Sequence, residues 1–120
     1  MGRTVEKTRN GNQWSEARYF GFIRSTLRAG FTRWGPKHQA KKDAKVAYNS
    51  YQCADCAELF TNKEVEVDHI VPAGSLKTFA DLPEFVERMF CEADGFQVLC
   101  KPCHQAKTNA EREERKRETS

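Results

Sequence analysis

Long apolar runs are missing from this chain of 120 residues, whose unbroken hydrophobic stretches extend for only a few positions. That excludes a membrane-spanning helix. Hydrophobic residues are scarce at 38%, against 31% charged, so a single modest core is the most to expect, and a chain this small commonly needs disulfides, a metal or a partner chain to supplement it. The amino-terminal residues lack the charged-then-apolar pattern of a secretory signal, which makes an intracellular, cytoplasmic setting the expectation. Internal repeats and low-complexity tracts are also lacking.

Acidic residues are sparse in the first half. Residues 1–50 contain 11 Lys and Arg against 3 Asp and Glu, whereas residues 51–120 contain 9 against 14. The net charge of +3 therefore conceals a basic first segment joined to an acidic one. A basic arm suits a polyanion, and nucleic acid is the commonest, because each neutralised phosphate releases counterions. A solvated basic helix without a partner fits the same charge pattern.

What the chain has is cysteine in pairs. Cys53 and Cys56 form one C-x2-C unit, Cys100 and Cys103 a second, and Cys91 stands apart. Without a secretion signal such pairs point to a metal before disulfides, a thioredoxin-like redox pair or four unrelated thiols. Two knuckles complete a tetrahedral four-thiolate site of the kind zinc prefers. The 43 residues between the pairs exceed a usual zinc-ribbon gap, so a substantial insertion is expected.

Along the chain, polar residues 1–13 read as a mobile arm. From Trp14 a helical period appears, with Ser15 as cap and Phe20, Ile23, Leu27 and Phe31 at three- and four-residue steps. That stripe reads as core packing, leaving Arg18, Arg24, Arg28 and Arg33 for phosphate contact. Pro36 is placed to open a second helix through about Tyr48, carrying Lys37, Lys41, Lys42 and Lys45. A knuckle follows over 51–60, then a turn at 61–63 and a short strand over 64–68. Residues 73–80 read as loop and 81–91 as an insert helix with Leu82, Phe85, Val86, Met89 and Phe90 on one side. Phe96–Leu99 reads as a second strand. From Cys100 a knuckle continues into a charged helix to about Arg117, whose last residues have no apolar face and are expected to fray.

Chemistry concentrates where Asp68 and His69 end the first strand and His104 follows the second knuckle. If both cysteine pairs share an ion, that closure brings His104 near Asp68 and His69. A carboxylate and an imidazole make half a shell for a divalent cation, with water and phosphate oxygens filling the rest. A second imidazole, His69, is left to take a proton from water. Such a set meets the demands of phosphodiester hydrolysis, in which charge on phosphorus must be neutralised and water activated. Taken one at a time, each residue also has an ordinary structural explanation: a turn cap for Asp68, packing for the histidines.

The order Cys53-x2-Cys56, Val67-Asp68-His69-Ile70-x-Pro72 and Leu99-Cys100-x2-Cys103-His104-x2-Lys107-Thr108 resembles the HNH endonucleases, most of all the small proteins of that family found in bacteriophage genomes. The likeness covers about residues 51–108, with a less specific one around Trp14–Phe31. It implies an α+β fold: a small zinc-stapled ββα-metal module over 51–120, preceded by a basic helical arm over 1–50 that contacts DNA, with Lys107 added to the DNA-binding residues. It further implies a catalytic Mg2+ or Mn2+, with Zn2+ also compatible, on Asp68 and His104, with His69 as general base and structural Zn2+ on Cys53, Cys56, Cys100 and Cys103. Cleavage of DNA, by nicking or through both strands, would leave a 5′-phosphate and a 3′-hydroxyl. Two positions depart from the family pattern. Gly95 stands where its middle asparagine belongs, with Asp94 or Gln97 as the candidate replacement brace, and the glycine pair after the proline is reduced to Ala73-Gly74-Ser75. The alternatives are a non-catalytic zinc-stapled DNA-binding module, and an adaptor in a phage packaging or other DNA-processing complex that presents Phe85, Met89 and Phe90 of the insert helix.

Overall fold

A computed structural model describes residues 5–119, with side chains to residue 117. The chain forms two compact units. One comprises the segment up to Trp34 with Val71–Phe90, and the other comprises Gly35–Ile70 with the segment from Cys91 onward. The second basic helix belongs with the cysteine-bearing segment, and the excursion between the strands supplies the apolar surface that the first helix needs.

In the first unit β1 (Lys7–Arg9) pairs antiparallel with β2 (Trp14–Ser15). This corrects the expectation of a mobile arm, whose residues 1–4 lie outside the described residues. Asn10, Gly11 and Asn12 all take positive φ, at 52°, 62° and 64°, and Asn and Gly enter that left-handed region at least cost. Helix α1 (Glu16–Phe31) starts where its cap predicts: the Ser15 side chain accepts from the Arg18 backbone N–H at 3.2 Å. Its stripe is core, with Phe20 buried and Ile23, Leu27 and Phe31 packed beside it.

The other half of that core comes from the insert. Helix α3 (Leu82–Met89) buries Phe85 and Met89 against Phe20 and Leu76, and each such burial contributes about 1.5–3 kcal/mol. Phe90 stacks edge-on to Phe31 and Trp34. Phe85 is only 1% exposed and Met89 3%, so the helix does not offer them to a partner. Phe85 and Met89 thus lie inside the core of this unit, and Phe90 is partly buried against it.

The second unit begins with α2 (Gly35–Ala44), shorter than expected. Lys45 lies on a strand, because β3 (Lys45–Ala47) pairs with β4 (Ser50–Gln52) around a turn in which Asn49 takes φ of 47°. β4 pairs in turn with β5 (Leu59–Phe60), and the first cysteine pair lies in the loop between them. β6 (Val65–His69) and β7 (Phe96–Cys100) then form an antiparallel pair in which Val65 faces Cys100, Asp68 faces Gln97 and His69 faces Phe96. Helix α4 (Lys101–Thr119) follows β7 directly and stays helical through the charged segment expected to fray. Two antiparallel strands and a helix thus succeed one another around the cysteines. Among the described residues no helix is long and apolar enough to cross a membrane.

Candidate functional site

Cys53 hangs from the end of β4, and Cys100 ends β7. The two are tied because the Ala54 N–H donates to the Val98 carbonyl at 2.8 Å. The knuckle is closed by Cys53 N–H to the Glu58 carbonyl and Ala57 N–H to the Cys53 carbonyl, both at 3.0 Å. That turn forces Ala57 to φ of 63°, a conformation glycine takes more readily. The result gathers the sulfurs of Cys53, Cys56, Cys100 and Cys103 within 4.8 Å of one another, with Cys56 and Cys100 at 3.9 Å. Ligands about 2.3 Å from a tetrahedral ion lie about 3.8 Å apart, so the four fit one metal ion such as zinc.

The thiols are electrostatically divided. Burial pushes Cys53 up, but the backbone groups of Cys100, Cys56 and Asp55 overcome it and hold the thiol near a pKa of about 6. Cys103 is driven well above the ordinary thiol range, first by its contact with Cys100 and then by burial. Four sulfurs this close cannot all ionise without a cation among them, and a divalent ion removes that conflict.

Beside the cluster, β6 and α4 build a polar site. Alternation along β6 puts Glu66 and Asp68 on one face, and α4 brings His104 and Lys107 to them. His104 Nε2 lies 3.5 Å from Asp68 Oδ1, and His104 Nδ1 lies 3.1 Å from Glu66 Oε2. Asp68 Oδ2 is 2.9 Å from the Lys107 ammonium and accepts from Gln97 Nε2 at 3.1 Å. Lys107 also donates to the His69 carbonyl at 2.8 Å and to Glu111 at 3.0 Å. Burial works against its charge, but the Asp68 and Glu111 carboxylates outweigh it and raise the ammonium above its ordinary value. Lys107 is therefore engaged inside the site; the sequence had placed it on phosphate.

Asp68 and His104, proposed from sequence to share a cation, are brought together. Two ligands about 2.1 Å from one ion lie about 3.0–3.4 Å apart, close to the distance found. His69 follows Asp68 on the strand and so leaves on the opposite face; its ring packs on Phe96 with centroids 4.9 Å apart. Two groups brace this stretch of β6. Gln97, cross-strand from Asp68, holds the carboxylate, and the Gly95 carbonyl accepts the Ile70 N–H at 3.0 Å, fixing the backbone just after His69. Asp94 has no such role.

The basic residues are divided between the two units. Arg18 lies over Trp14 at 4.8 Å and Arg24 over Phe85 at 5.9 Å; with Arg28 and Arg33 they belong to the first unit. Lys37, Lys41, Lys42 and Lys45 belong to the second. Of these, Lys37 and Lys41, with His38, line an open groove of about 400 Å3 whose other wall is Glu66 and Val67. The groove adjoins the polar site through Glu66.

Sequence reasoning missed Glu66 and Glu111. Two-residue spacing from Asp68 on a strand marks the first, and the i,i+4 relation to Lys107 on a helix marks the second. Compared with known proteins, the chain matches no family model, no curated protein and no solved structure.

Proposed function

We propose that this protein is a metal-dependent endonuclease of the HNH type that hydrolyses phosphodiester bonds in DNA. The observation that carries the proposal is the approach of His104 Nε2 to Asp68 Oδ1 at 3.5 Å, at the junction of a strand pair and a helix anchored by four cysteines. Zinc is the ion proposed for Cys53, Cys56, Cys100 and Cys103. Asp68 and His104 would hold a second divalent ion, Mg2+ or Mn2+, with Zn2+ also compatible with such a donor pair. When bound there, a divalent cation supplies charge neutralisation at the scissile phosphate.

The chain's own residues provide the rest. His69, whose ring packs on Phe96, is proposed to turn toward the site and accept a proton from the attacking water, whose oxygen bonds to phosphorus as the bond to O3′ breaks. The O3′ leaving group takes a proton from solvent, giving a 3′-hydroxyl and a 5′-phosphate. Lys107 and Gln97 hold Oδ2 of Asp68 so that Oδ1 faces His104. Lys37 and Lys41, on the groove that reaches Glu66, would meet phosphates flanking the cut, and the arginines of α1 are proposed as further backbone contacts. Operation within a phage DNA-processing complex is compatible with this activity.

The test is a supercoiled plasmid incubated with the full chain and Mg2+ or Mn2+, with and without chelator. Metal-dependent nicking or linearisation is expected, lost in His69→Ala with zinc content and DNA binding retained. Plasmid that stays intact although bound would leave a non-catalytic DNA-binding module, and cutting by His69→Ala would remove His69 as the base.

A further inference from the structure

His104 lies between two carboxylates, and they compete for one ring proton. Asp68 Oδ1 is 3.5 Å from Nε2, while Glu66 Oε2 is 3.1 Å from Nδ1. A neutral imidazole carries its proton on one nitrogen and offers a lone pair at the other. If the proton sat on Nε2, toward Asp68, the nitrogen facing the cation site would have nothing to donate. We infer that Glu66 is a positioning residue that holds the ring proton on Nδ1 and so keeps Nε2 of His104 available to a metal ion beside Asp68. The inference rests on the metal site proposed above and adds a residue to it.

Three features favour Glu66 in this role. Its distance is the shorter of the two, and it lies two residues before Asp68, so the pleat of β6 sends both carboxylates to the same face. Asp68 is held through Oδ2 by Lys107 at 2.9 Å and Gln97 at 3.1 Å, which keeps Oδ1 turned beside Nε2 as the oxygen that would share a metal ion with it. Imidazole ligands to metals commonly donate their second ring N–H to a carboxylate, and loss of that partner typically weakens metal affinity or activity about 10–100-fold. Glu66 also lines the groove with Lys37, His38 and Lys41, so a substrate seated there would pass beside it.

Ring-nitrogen NMR of 15N-histidine-labelled, zinc-loaded full chain reads the proton position directly, with His104 assigned from His104→Gln. In the wild type the expected pattern is a protonated Nδ1 and an unprotonated Nε2. Glu66→Ala should move the proton toward Nε2 and weaken Mn2+ binding, followed by EPR of the free ion, about 10–100-fold. Glu66→Gln keeps the size and an accepting oxygen, so it should fall between the two and serves if Glu66→Ala proves unstable. A wild-type ring protonated on Nε2, or a proton position and Mn2+ affinity unchanged in both variants, overturns the inference. The NMR reading is independent of DNA cleavage. A chain that shows the expected proton position and Mn2+ response but cuts no plasmid would sink the nuclease proposal and leave Glu66 in its role.

Discussion

Lys107 and Asp68 meet at 2.9 Å across the gap between α4 and β6. The same ammonium reaches Glu111 on its own helix and the carbonyl of His69, so one side chain ties the proposed metal carboxylate and the backbone of the proposed base to a single rigid element. Lysine suits this because its three N–H donors leave one point charge, and here three oxygens surround it.

Lys107→Met is accordingly expected to destabilise the second unit by about 1–3 kcal/mol, the scale of hydrogen bonds to a charged group. The pH dependence has a definite sign. A lysine whose folded pKa is raised contributes stability that is fully present below its ordinary value of 10.5 and is lost as pH rises through the raised one. The difference in unfolding free energy between wild type and variant should therefore hold at neutral pH and shrink in the alkaline range. Identical denaturant midpoints at neutral pH would show that the ion pair adds nothing.

A Cβ built on Gly95 would lie 2.5 Å from the Cys91 sulfur and 3.0 Å from its Cβ. Glycine is required there by the close approach of that side chain, and its carbonyl braces Ile70. Gly95→Ala should cost about 1–3 kcal/mol as an overpacked site, and Gly95→Asn, which installs the residue of the HNH pattern, should cost more. Combining Gly95→Ala with Cys91→Ala removes the sulfur and should recover part of the loss. Strict additivity in that double-mutant cycle would show that the two positions do not touch.

For the cysteine cluster, one zinc ion per chain is expected, and its removal by chelation should unfold the second unit, since structural zinc supplies on the order of 10 kcal/mol in small domains. Cys53→Ser should do the same. Because the zinc-free unit is unfolded, its cysteines keep ordinary thiol character, and zinc binding should release about one proton per thiol at neutral pH, a number obtained by calorimetry in buffers of different ionisation enthalpy. Full thermal stability and zinc content in Cys53→Ser would rule out the four-sulfur site.

Lys37 and Lys41 share the groove beside Glu66. If they meet phosphates, replacing both with alanine should weaken DNA binding and reduce the slope of log affinity against log salt by about two. An unchanged slope would place the DNA elsewhere on the molecule.

Much was written into the sequence by itself because it depends on neighbours along the chain. The two cysteine knuckles, the capped start of α1 at Ser15, the core stripe from Phe20 to Phe31 and both strands ending near the histidines follow from spacing and period, which the backbone obeys locally. The Asn10-Gly11-Asn12 turn is equally local, but residues 1–13 read as a mobile arm, and only the structure showed the hairpin it makes. Tertiary structure alone decided the pairings across long separations. Only folding revealed that the excursion after Ile70 completes the core of α1, that Gln97 holds Asp68 and the Gly95 carbonyl holds Ile70, and that Lys107 turns inward while Glu66 closes on His104. Those outcomes depend on which faces meet when strands pair and helices pack, and residues far apart in the chain carry no local record of that.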